Sequence, residues 1–118
     1  IAAAATVPDT TCEVVELGRH WPMERLERSG RLLDAAIAVA AGIGFATKGA
    51  STGGASDANT TAGLGVPTID GLGPVGGNDH SPAEFLDVAS IVPRTALLAA
   101  LLLATGRDPL VAGWRAGD

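Results

Sequence analysis

The residue of this chain whose type and setting could do the most chemistry is His80. It follows a flexible glycine-rich stretch, stands among Asn78, Asp79 and Ser81, and precedes a segment that could fix its backbone. An imidazole binds metal ions and moves protons near neutral pH. An isolated histidine is also commonly a surface or hydrogen-bonded residue, so both readings stay open on local grounds. A catalytic metal site needs three or more nitrogen or oxygen ligands. The sequence has no His-x-Asp, no His-Glu-x-x-His and no adjacent pair of glutamates, so any such site must be completed from elsewhere.

The second candidate is the run Ser51-Thr52-Gly53-Gly54-Ala55-Ser56-Asp57. It offers backbone N–H groups and hydroxyls at a helix start, where the macrodipole also favours an anion. A carboxylate or an oxyanion fits such a place; so does an ordinary turn that needs glycine on steric grounds. The Gly-x-Gly-x-x-Gly spacing of a dinucleotide site is absent, and so is the lysine of a P-loop. Cys12, the single cysteine, has no partner for an internal disulfide and is expected to be a small buried strand residue.

These residues need elements to hold them. Thr11 to Leu17, bounded by Pro8-Asp9 and Gly18, reads as a strand. Leu33, Ala36, Ile37 and Ala40 recur at helical spacing from Leu26 onward and stop at Gly42 and Gly44, which predicts about four turns of helix. Phe45 to Lys48 and Val66 to Ile69 are expected as short strands. Ser56 or Asp57 should cap a short helix over Ala58 to Leu64, with Gly65 as its stop. Ser81-Pro82-Ala83-Glu84 has the spacing of a capping box, and Ser90 with Pro93 offers a second helix start. The second is favoured, with a final helix from about Ile91 to Thr105, ending at Gly106. The order is that of an α/β fold, in which ligands gather beyond the C-terminal ends of strands. Asp57 is then a helix cap or loop organiser.

Composition limits the partners. The net charge of −5, with eight Lys plus Arg, gives no basic field for nucleic acid. Arg19, Arg25, Arg28 and Arg31 cluster, but Glu24 and Glu27 interleave with them as on a solvated helix start. The longest apolar run, Ala96 to Ala104, is about half of what a bilayer requires, so no membrane span is expected. No signal peptide is visible, and a cytoplasmic location is expected. Ala2 to Ala5 reads like the end of a helix begun earlier, and the N-terminus as a cut edge.

Four stretches in one order carry a resemblance: Gly53-Gly54-Ala55-Ser56-Asp57-Ala58-Asn59, Gly65-Val66-Pro67-Thr68-Ile69-Asp70-Gly71-Leu72-Gly73, His80-Ser81-Pro82-Ala83-Glu84-Phe85 and Val92-Pro93-Arg94. Together they resemble the C-terminal end of the acetylornithine deacetylase, succinyl-diaminopimelate desuccinylase and glutamate carboxypeptidase family of zinc peptidases, over roughly Glu13 to Gly106. The resemblance implies the C-terminal part of a catalytic domain, helices packed on a mixed sheet, preceded by the last strand of an α+β lid or dimerisation domain. Residues 1–23 would end the lid, 24–106 would belong to the catalytic domain, and 107–118 would form a tail.

The same resemblance implies that His80 is the final metal ligand of a two-zinc site, with manganese or cobalt as ions that accept the same ligands. It implies that the Gly53-Gly54 loop meets the substrate carboxylate with its backbone. Family members place an arginine shortly before the Pro-Met pair, here Pro22-Met23. Arg19 lies one residue too early and His20 holds the aligned position, so either residue could take the carboxylate contact. Asp79 stands where the family has small residues, and either perturbs the metal site or faces solvent. Glu84 is a supporting or capping carboxylate. The family's other ligands, its Glu-Glu pair with the general base and a lid histidine are not in this chain.

The expected activity of the parent protein is hydrolysis of an amide bond next to a free carboxylate, on a small N-acyl amino acid or peptide, in a homodimer or self-associating assembly. The 118 residues alone are expected to be inactive. The alternative is a non-catalytic binding or assembly module, a truncated or degenerate relative without a complete metal site.

Overall fold

The computed structural model describes residues 8–19 and 21–109. The readings made for Ala2 to Ala5, for His20 and for most of the 107–118 tail lie outside them.

Helix α1, Glu27–Ile43, realises the apolar periodicity from Leu26 onward. Glu27 opens it at the positive end of the dipole and pairs with Arg31 one turn on, at 2.5 Å. Gly44 ends it in the left-handed region (φ 103°), returning its N–H to the carbonyls of Ala40 and Ala41, a conformation that costs glycine nothing. Helix α2, Asp57–Gly63, starts where Ser56 caps it: the Ser56 hydroxyl accepts from the Ala58 N–H, and Asn59 accepts from the Ser56 N–H in return. Strands β1, Gly76–Gly77, and β2, Phe85–Leu86, form an antiparallel pair with Gly76 opposite Leu86 and Gly77 opposite Phe85. A 3₁₀ turn over Val88–Ser90, capped by the Asp87 carboxylate, leads into helix α3, Ile91–Arg107. Pro93 falls in the first turn of α3, where its missing N–H has no helical partner to lose.

The core is the contact of α1 with α3, the packed helix pair among the described residues. Ala36 and Ala40 on α1 and Leu97 and Leu101 on α3 are buried, each pair four residues apart and so on one face. Alanine on one side and leucine on the other lets the helices approach closely. Three buried polar residues then tie loops to this frame. Ser29 on α1 accepts from the Thr68 N–H, Asn59 on α2 donates to the Trp21 carbonyl, and Ser90 accepts from the Val75 N–H. No buried side-chain polar atom among the described residues lacks a partner, as burial requires.

The sheet differs from expectation. Thr11 to Leu17 is irregular and exposed, and neither Phe45 to Lys48 nor Val66 to Ile69 forms a strand. A strand needs a neighbour to take its ladder of hydrogen bonds, and among the described residues none of the three has a ladder partner. Among the described residues the sheet is the two-stranded β1–β2 pair, with no mixed sheet under the helices. Cys12 is correspondingly exposed, not buried. Ser81 to Glu84 folds into a turn in place of a helix: the Ser81 carbonyl accepts from the Glu84 N–H.

Val88–Arg107, 20 residues long with an 18-residue window of mean hydropathy 1.8, is long and apolar enough to cross a membrane by length and composition alone, a test that the core helix of a soluble protein also passes. Leu97 and Leu101 pack this helix on α1, while Leu102 and Leu103 on its other side are exposed.

Candidate functional site

An open trough of about 940 Å³ lies beside α1, lined by Trp21 to Arg25, by the loop from Thr47 to Ser56, by Thr68 to Leu72 and by Arg94. Leu33 on α1 forms part of its wall, and the loop passes so near that a Cβ on Gly49 would stand 2.8 Å from a Leu33 methyl. Gly53 and Gly54 both line the trough. Neither adopts a positive φ. A Cβ at Gly53 would meet nothing within 4 Å, and one at Gly54 would meet only the Thr52 hydroxyl at 3.8 Å. Neither the backbone angle nor a neighbouring described atom therefore demands glycine at either position.

Asp70 closes one side of the trough. Its Oδ2 accepts from the Ser56 hydroxyl at 2.6 Å and its Oδ1 from the Gly71 N–H at 2.7 Å. The Ser56 bond, then the Gly71 bond, holds the carboxyl below its ordinary value, against a smaller opposing effect of burial. Arg94, in the first turn of α3, donates from Nε to the Gly73 carbonyl at 2.7 Å and from Nη2 to the Gly71 carbonyl.

His80 sits apart from the trough, in the 78–84 loop between β1 and β2. Asn78 (φ 60°) and His80 (φ 62°) both occupy the left-handed region, which is uncommon for residues other than glycine. The loop is held by its own bonds: Ser81 Oγ donates to the Asn78 carbonyl at 2.8 Å and accepts from the Ala83 N–H, and Asn78 Nδ2 donates to the Ala83 carbonyl. His80 thus stands in a sparsely populated backbone conformation inside a loop that Asn78, Ser81 and Ala83 hold together, and such outliers cluster at functional sites. Among the described residues no three His, Cys, Asp or Glu side chains gather to hold a metal, so the residues present do not make a metal site by themselves.

Arg19 does not line the trough and forms an ion pair with Glu16, Nε to Oε1 at 2.5 Å, both side chains being well exposed. His20 is outside the described residues. Asp57 is the first residue of α2, and the cap is Ser56. Asp79 and Glu84 are exposed. Sequence reasoning assigned no role to Asp70, Arg94 or Asn59. An arginine in the first turn of an otherwise apolar helix was the signal for the second of them.

Compared with known families, the chain matches Peptidase family M20/M25/M40 over residues 5–104. No curated protein matches the chain, and no solved structure does.

Proposed function

This chain belongs to Peptidase family M20/M25/M40, a family of metal-dependent peptidases and hydrolases, and from that premise we propose that it is part of an enzyme cleaving an amide bond next to a free carboxylate. The type is that of a carboxypeptidase, aminoacylase or deacylase, the four motifs resembling those of the acetylornithine deacetylase, succinyl-diaminopimelate desuccinylase and glutamate carboxypeptidase group. The substrate is a small N-acyl amino acid or peptide. Its carboxylate is received by the backbone of Gly53 and Gly54. His80 supplies one metal ligand, with zinc the first candidate ion, and the remaining ligands and the general base come from residues outside this chain. A metal bound there would polarise the scissile carbonyl and activate water. On this reading the 118 residues alone turn over no substrate.

The observation that carries the proposal is the pair of glycines in the trough wall. Their backbone is exposed to the cavity, and neither φ nor neighbouring atoms require the missing side chain. What glycine supplies there is close approach by another molecule. The test is Gly54→Val in the intact enzyme, assayed on N-acetyl-L-leucine. A raised KM with little change in kcat is expected, since a side chain would obstruct binding. An unchanged KM would return the loop to an ordinary turn.

The incomplete ligand set among the described residues favours one rival, a non-catalytic binding or assembly module. Hydrolysis by the intact protein that requires added metal decides against the rival.

A further inference from the structure

The trough is bounded by two loops from distant parts of the chain, and one carboxylate joins them. Asp70 takes the Ser56 hydroxyl on one oxygen and the Gly71 N–H on the other. Ser56 also caps α2 through the Ala58 N–H. Gly71, in the left-handed region at φ 70°, is gripped from both sides, its N–H by Asp70 and its carbonyl by Arg94, whose Nε also takes the Gly73 carbonyl. A continuous path of hydrogen bonds thus runs from the N-terminus of α2, through Ser56, Asp70, Gly71 and Arg94, to α3. It spans 14 residues between Ser56 and Asp70 and 23 between Gly71 and Arg94. The Gly53-Gly54 loop enters α2 at this same Ser56.

We infer that Asp70, acting with Arg94, is a positioning residue for substrate recognition: it fixes the Gly53-Gly54 backbone against the 70–73 loop so that its N–H groups meet the substrate carboxylate. This rests on the reading that those glycines receive a carboxylate. The chemistry suits the task. An ionised carboxylate is an acceptor with two oxygens and can serve two donors at once, and such charge-assisted bonds are stronger than neutral ones. Recognition through backbone groups depends on placement within about half an ångström, and a glycine-rich loop has no side chains of its own to secure that. Asp70 touches no reacting group and works through the loops.

The experiment compares the intact wild-type enzyme with Asp70→Ala, Asp70→Asn, Arg94→Ala and the Asp70→Ala/Arg94→Ala double variant. The substrates are N-acetyl-L-leucine and the neutral N-acetyl-L-leucinamide. Asp70→Ala should raise KM for the carboxylate substrate by about tenfold or more, the loss expected when a charged hydrogen bond no longer sets the loop, with kcat nearly unchanged. KM for the amide should stay put. Asp70→Asn, which keeps an acceptor for the Gly71 N–H, should recover part of the loss. The double variant should fall short of the product of the single effects, because both residues hold Gly71, one at its N–H and the other at its carbonyl. A KM that rises equally for both substrates, or for neither, overturns the inference. If the wild type hydrolyses neither substrate, the proposed function fails by itself. The positioning role is then decided by amide NMR shifts of Gly53 and Gly54 on titrating N-acetyl-L-leucine into the intact wild type and Asp70→Ala. Binding that is absent, or that is equal in the two proteins, overturns it.

Discussion

Replacing Gly76 with alanine should displace His80 without touching it. Gly76 pairs with Leu86 in the β1–β2 ladder, and a Cβ on it would stand 2.6 Å from the Phe85 carbonyl oxygen. A relaxed carbon–oxygen contact is about 3.3 Å or longer, so the strands must part by roughly 0.7 Å. The three nearest atoms that the new methyl would meet are backbone, so no side-chain rotation relieves the closest contact. Overpacking of this kind costs about 1–3 kcal/mol. The pair is anchored on its far side by the Asp87 N–H on the Val75 carbonyl and by the Val75 N–H on the Ser90 hydroxyl, each at 2.8 Å. The 78–84 loop is therefore the freer end and takes most of the movement. If that cost falls on the placement of His80, zinc affinity of the intact enzyme drops about fivefold to about 150-fold. Calorimetric zinc titration measures it, with Gly42→Ala as control. Gly42 lies within α1 with nothing within 4 Å of a built Cβ, so that change should add about 0.5–1 kcal/mol of stability and leave zinc binding alone. Gly76→Ala protein with wild-type zinc affinity and wild-type melting temperature would refute the reasoning.

Two further outcomes follow from the packing and the charge. Leu97→Ala removes a fully buried side chain from the α1–α3 contact and should cost about 2–5 kcal/mol, read as a lower denaturation midpoint with an unchanged slope. Asp70 has its pKa lowered in the folded chain from an ordinary 3.8, so its stabilising contribution is present above that value and is lost as pH falls through the lower, folded one. The stability deficit of Asp70→Ala should accordingly be constant near neutrality and shrink in acid below about pH 3.8. Chemical denaturation at several pH values measures it, and a deficit that grows in acid would reverse the sign.

The helices were legible because their signals are local. The α1 stripe with its Gly44 stop, the Ser56 cap of α2 and the Ser90–Pro93 start of α3 all lie within a few residues of the structure they specify. The expected helix ends fall within about two residues of the observed ones. The strands were not legible, because an apolar run such as Val14-Val15 or Val66 to Ile69 becomes a strand only when another segment pairs with it. The pair that forms among the described residues, Gly76–Gly77 with Phe85–Leu86, has too few residues to show a period of two. In the site, Gly53, Gly54 and His80 stood out by type. The bonds of Asp70 and Arg94 join residues 14 to 23 positions apart, and no spacing rule reaches that far. The family match over residues 5–104 bears out the coarse resemblance read from the four motifs.

The account stands most directly on His80, and metal analysis of the intact protein tests it. Wild type and His80→Ala would be loaded with zinc, dialysed, and measured for bound metal and for hydrolysis of N-acetyl-L-leucine. The prediction is that His80→Ala retains less zinc, losing one of the two ions expected per site, and loses nearly all turnover while its melting transition stays cooperative. Full zinc content and wild-type turnover in His80→Ala would contradict the account.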